Sequence, residues 1–230
     1  MNAPYTTVLG GMPVKIYGGD ADPGSPLVIY HAFEEDGESV WDEYRRLGAP
    51  DCVMAAVETD DWESELSPWV CAPVFKNAPP FGDGAKAHLA KLEGEVIPEL
   101  KRITGCKDVY ICGYSLGGLF ALWAVCNTRA FSGAAAVSPS VWFPGFEEYI
   151  RTAVPFAPKI YLSLGDREEK TRNPVMAGVG DSIRAIHAFL RGRVPECTLE
   201  WNEGNHFAFA SRRTAKGIAW VLSESGKADK

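Results

Sequence analysis

Residues 113–118 read Gly-Tyr-Ser-Leu-Gly-Gly, with the apolar run 109–112 directly before them and the helix-like run 119–125 directly after. Gly-x-Ser-x-Gly in that setting is a nucleophile elbow, a sharp strand-to-helix turn that exposes the serine hydroxyl and strains its backbone. The glycines follow from geometry, because a side chain two residues before or after the serine collides with the neighbouring strand or helix. Ser115 is therefore the candidate nucleophile, and the chemistry is attack on an acyl carbon.

A serine hydroxyl is a weak nucleophile until a base takes its proton, and an imidazole needs a carboxylate to hold it in the right tautomer. The chain has four histidines, at 31, 88, 187 and 206. His88 and His187 fall inside helical patterns, and His31 ends a strand that precedes the serine. His206, in Glu203-Gly204-Asn205-His206-Phe207 between the last strand and the last helix, is the candidate base, because this motif runs in the order serine, acid, histidine. The acid belongs to the loop after the strand 159–164, which reads Gly165-Asp166-Arg167-Glu168-Glu169. Glu168, three positions after the glycine, is the first candidate and Asp166 the reserve. A tetrahedral intermediate also needs preorganised N–H donors for its oxyanion. The backbone N–H of Leu116 is one candidate, and that of Phe33, in the loop after the strand 27–31, is the other.

Short β-type runs alternate with longer helical patterns, which predicts an α/β fold with a mostly parallel sheet of about eight strands and helices on both faces. The strands are expected at 6–9, 14–17, 27–31, 52–58, 108–112, 133–137, 159–164 and 198–202, the first two as an antiparallel hairpin at one edge. Helices are expected at 39–47, 85–103, 116–126, 146–152, 174–191 and 211–222. Pro98 should kink or split the second, and Asn173 should cap the fifth. Residues 59–84 lack a regular pattern and carry Trp62, Trp69, Phe75 and Phe81 among four prolines, an aromatic loop fit to wall a cleft or to pin itself to the core.

At 230 residues, 46% of them hydrophobic, the chain is long enough for one large core and short for two, so one domain over 1–230 is expected. A net charge of −7 with scattered basic residues argues against nucleic-acid and anionic-membrane partners, which require a positive stripe. The pairs Arg45-Arg46 and Arg212-Arg213 sit in helix-like segments and read as solvated faces. Residues 1–5 do not resemble a leader and no apolar run approaches about 18 residues, so a cytoplasmic protein is expected. Six cysteines without a Cys-x-x-Cys pair predict neither a zinc site nor an obligatory disulfide. The composition leaves a homo-oligomer open.

At these residues the chain resembles the esterase D-like family of α/β hydrolases, which includes S-formylglutathione hydrolases, feruloyl esterases, mycolyltransferases and ferric-enterobactin esterases. The resemblance rests on 113–118, on Ser138-Pro139-Ser140-Val141-Trp142, on 165–168 and on His206. It implies an α/β-hydrolase fold without a large lid, and a serine esterase acting on a small-molecule ester without metal or organic cofactor. Trp142 would line the pocket, with Tyr114 and Trp69 as further candidates. Two motifs depart from the family: His-Gly of the oxyanion loop reads His31-Ala32, and Gly-Gly-His reads Gly204-Asn205-His206. Acyl transfer by the same residues, or a silent ligand-binding member of the fold, are the alternatives to hydrolysis.

Overall fold

Runs of five to seven residues rich in Val, Ile, Leu and Ala, too short for helices, become strands buried on both faces. The computed structural model describes residues 3–74 and 78–224. It contains β1 (Tyr5–Leu9), β2 (Met12–Tyr17), β3 (Leu27–His31), β4 (Val53–Val57), β5 (Val109–Tyr114), β6 (Gly133–Val137), β7 (Lys159–Gly165) and β8 (Glu196–Asn202). Their order in the sheet is β1-β2-β4-β3-β5-β6-β7-β8. The first two form the antiparallel edge hairpin, turning through Gly10 and Gly11 at φ 56° and 78°, the two left-handed residues that a two-residue hairpin turn requires. β2 runs antiparallel to β4, and the remaining pairs are parallel.

The parallel register sets the carboxyl ends of the central strands level, with His31 opposite Gly113, Tyr114 opposite Val137 and Gly165 opposite Asn202. Open α/β sheets hold ligands in the crevice beyond those ends. Alternation along each strand feeds two apolar layers. Ile29, Ala55, Ile111, Ala136 and Leu162 point into one, and Tyr30, Met54, Cys112, Val137 and Tyr161 into the other. The second layer is closed by α1 (Gly37–Arg46) and α9 (Ala210–Leu222), through Val40, Tyr44, Ala215, Ile218 and Val221. The first is closed by α3 (Ala85–Lys91), α4 (Ile97–Thr104), α5 (Leu116–Ala124), α6 (Phe146–Thr152) and α8 (Val179–Leu190).

Three helical regions differ from the sequence pattern. α2 (Trp62–Glu65) is a single turn inside the aromatic loop, capped by Asp61 Oδ1 accepting from the Ser64 N–H. Pro98 divides the segment after Ala85 as expected, but the chain absorbs it in a wide π-helical turn, Leu92–Val96, before α4 begins with Pro98 in its first turn. That register change relieves the clash and missing donor that proline brings to a helix interior. The segment after Asn173 is two helices, α7 (Pro174–Ala177) and α8, because Gly178 and Gly180 weaken the junction. Asn173 Oδ1 accepts from the N–H groups of Val175 and Met176 and caps α7. Phe75 lies outside the described residues. Among those residues no helix is long and apolar enough to cross a membrane.

Candidate active site

Ser115 stands between β5 and α5 at φ 55° and ψ −119°. For a residue with a side chain this backbone costs on the order of 1–3 kcal/mol and persists only when surrounding structure enforces it. The enforcement is visible: the Ser115 N–H donates to Val137 O at 3.1 Å, and its carbonyl accepts from Leu119 and Ser140 N–H, each at 3.0 Å. A Cβ on Gly113 would lie 2.2 Å from the backbone of Gly117, and one on Gly118 would lie 3.0 Å from the carbonyls of Gly113 and Val137. Only glycine lets the strand and helix approach this closely.

His206 reaches Ser115 from the loop between β8 and α9. Its Nε2 lies 3.0 Å from Ser115 Oγ, and its Nδ1 lies 2.7 Å from Glu168 Oε2. An ionised carboxylate only accepts hydrogen bonds, so Nδ1 carries the proton and Nε2 presents its lone pair to the serine hydroxyl. Glu168 is buried, and its other oxygen accepts from Gly165 N–H at 2.7 Å, Ser138 Oγ at 2.8 Å and Arg213 Nη2 at 2.6 Å. Burial alone would push this carboxyl upward, but the hydrogen bonds and charges of His206 and Arg213 outweigh it and hold it down to about 2.

Asp166 does not touch His206. It is exposed, and its Oδ1 accepts from the Gly204 N–H at 2.9 Å, so it braces the histidine loop from outside. Gly204, at φ 104°, makes the bend that this contact needs. The Tyr114 hydroxyl donates to His206 O at 2.6 Å, with the two rings 5.2 Å apart. Tyr114 thus holds the histidine backbone, a different position from the pocket wall expected of it.

The proposed oxyanion donors separate. Leu116 opens α5, where its N–H has no carbonyl one turn back to bond. The Phe33 N–H instead donates to Asp36 Oδ1 at 3.1 Å, and Asp36 Oδ2 accepts from the buried Tyr30 hydroxyl at 2.6 Å. Phe33 itself is exposed and meets Trp62 edge-on. Of the pocket candidates, Trp142 lines a small cavity of about 20 Å³ with Ser138, Pro139, Glu168, Met176 and His206. Trp69 is elsewhere: its indole N–H donates to Pro144 O, and its ring packs on Phe143, Phe146 and Tyr149, pinning the aromatic loop to the core.

His31 is fully buried, with Nε2 3.0 Å from His88 Nε2, while His88 Nδ1 faces Glu65 Oε2 at 3.0 Å. Burial holds both imidazoles below their ordinary range, so the pair stays neutral and serves the packing beneath Phe120.

Three residues at the site were given no part in it by the sequence. Arg213, read as part of a solvated pair, is 2% exposed and touches Glu168 and Ser138, and its Nη1 donates to Asn205 O at 3.2 Å. Its signal was its place on the buried stripe of α9 with Gly217 and Val221, four and eight residues on. Ser138 and Ser140 stand at the carboxyl end of β6, next to the elbow strand, and Ser140 Oγ lies 3.2 Å from Ser115 Oγ.

No protein-family model matches the chain. The Bacillus subtilis (strain 168) protein YbbA, described as uncharacterized, is 22% identical over 96% of this chain and 90% of its own length. An IroE-like serine hydrolase from Shewanella oneidensis superposes with a TM-score of 0.77 at 17% identity, over 96% of this chain and 80% of that one. The siderophore hydrolase EstB from Aspergillus nidulans gives 0.72 at 16%, over 94% and 93%. The enterobactin esterase FES from Shigella flexneri, solved in the presence of enterobactin, gives 0.72 at 19%, over 96% of this chain and 58% of its own. At these identities the likeness is one of architecture, and the chain has the α/β-hydrolase fold.

Proposed function

We propose that the chain is a serine carboxylic-ester hydrolase that works through an acyl-enzyme on Ser115. The observation that carries this reading is the unbroken line from Glu168 Oε2 through His206 to Ser115 Oγ, with contacts of 2.7 and 3.0 Å, ending on a strained elbow. Ser115 Oγ attacks the ester carbonyl carbon as its proton passes to His206 Nε2. The negative charge on the carbonyl oxygen meets the Leu116 N–H, and Glu168 stabilises the imidazolium. Collapse breaks the carbon–oxygen bond to the alcohol, which leaves with the proton from His206. Water then attacks the acyl-enzyme with His206 again as base, releasing the acid and restoring Ser115.

Two of the structural neighbours are a siderophore hydrolase and an enterobactin esterase, which supports a small-molecule ester as substrate here. The cavity beside His206 admits only a small group, so we assign the bulk of the substrate to the depression lined by Phe33 and Trp62, whose indole lies against Gly117 of the elbow helix. A panel of acyl esters of varied chain length and aromaticity tests the reading. Turnover should fall on the order of 10³-fold or more in Ser115→Ala and in His206→Ala, with the folding transition unmoved. Equal turnover by either purified variant contradicts it.

A further inference from the structure

We propose that Ser140 is a positioning residue for the nucleophile: its hydroxyl donates to Ser115 Oγ and holds it in the orientation that delivers its proton to His206. The inference rests on the esterase reading above. Among the described residues, Ser115 Oγ has two polar side-chain neighbours, His206 Nε2 at 3.0 Å and Ser140 Oγ at 3.2 Å. A hydroxyl has one hydrogen to give and lone pairs to receive. If Ser115 gives its hydrogen to His206, as the chemistry requires, the contact with Ser140 is made by the Ser140 hydrogen. The reverse orientation, Ser115 donating to Ser140, leaves His206 Nε2 without a proton to take.

Ser140 is built to hold this post. It is 2% exposed, and its N–H donates to the Ser115 carbonyl at 3.0 Å, so backbone and side chain grip the same residue. It follows β6, which pairs with β5 on the side away from β3. A serine oxygen has two lone pairs, so accepting from Ser140 with one leaves the other free for the carbonyl carbon. The Ser140 bond fixes the Ser115 hydroxyl with its hydrogen aimed at His206, and holding a reacting group in its attack geometry lowers the barrier. Ser140 gives up no proton and forms no covalent bond.

The test is the rate at which a fluorophosphonate probe labels the purified protein, beside kcat and KM on one neutral ester. Ser140→Ala should label about tenfold more slowly and lose kcat by a similar factor, the size of one hydrogen bond, with KM unchanged. Ser140→Cys keeps the volume but donates weakly, and should behave like the alanine variant. Ser140→Thr keeps the hydroxyl and should recover most of the rate. Thermal unfolding of each variant within a few degrees of the parent excludes a folding defect. Labelling of Ser140→Ala or Ser140→Cys at the parent rate, or faster, overturns the proposal while leaving Ser115 as nucleophile. Failure of the parent itself to label overturns the esterase reading and this inference with it.

Discussion

Arg213 and His206 grip Glu168 by different oxygens: Nη2 of the arginine donates to Oε1 at 2.6 Å, and Nδ1 of the histidine to Oε2 at 2.7 Å. A buried carboxylate with two such partners is fixed in place and in charge. The same guanidinium donates to the carbonyl of Asn205, the residue before His206, so one side chain positions both the acid and the loop that carries the base.

Arg213→Met should therefore be among the most damaging substitutions outside Ser115, His206 and Glu168. It strips a buried carboxylate of its guanidinium partner, a loss of about 3–5 kcal/mol for one partner of a buried pair. Denaturant unfolding measures this directly. A change below about 1 kcal/mol would mean that water reaches Glu168 freely.

Glu168 and Asp166 should separate by rate. Glu168→Gln offers His206 an amide that cannot compensate an imidazolium, and kcat should fall by orders of magnitude. Asp166→Asn removes only the charge behind a contact to the Gly204 N–H, and should cost less than about tenfold. The opposite ranking transfers the acid role to Asp166.

Stability should fall in acid through Glu168. Its folded value, about 2, lies below the ordinary 4.5, so ionised Glu168 favours the folded state at pH above 4.5. That contribution, about 3 kcal/mol, disappears as pH drops from 4.5 toward 2. Unfolding curves between pH 7 and 2 should show this loss in the parent and a flatter slope in Glu168→Gln.

Substrate charge should matter. The depression beside Phe33 and Trp62 is lined by Glu34, Glu35, Glu58, Asp60, Asp61 and Glu63, none of which pairs with a Lys or Arg among the described residues. An ester whose distal group carries a carboxylate should show kcat/KM about tenfold below that of its neutral isostere at low salt, with the gap closing as salt is added. A gap independent of salt would assign the difference to shape.

The inner strands β3, β4, β6 and β7 were legible because each is a short apolar run, and the elbow was legible because its glycines are sterically obligatory. Ser115, His206 and Glu168 meet because the level carboxyl ends of β5, β7 and β8 bring three distant loops together, and motif order carries that information. Arg213 was hidden because a charge beside another charge on a helix reads as solvent-facing until its partner is known. The bond from the Phe33 N–H to Asp36, which Tyr30 fixes from inside the sheet, is a contact that no local pattern announces.

Rapid quenching of the protein with a neutral aryl ester, followed by intact mass measurement and peptide mapping, tests the central claim most directly. The account predicts a mass increase equal to the acyl group, located on the peptide that carries Ser115, accumulating in the first turnover and absent from Ser115→Ala. Steady hydrolysis with no covalent adduct, or with the acyl group on another residue, would contradict it.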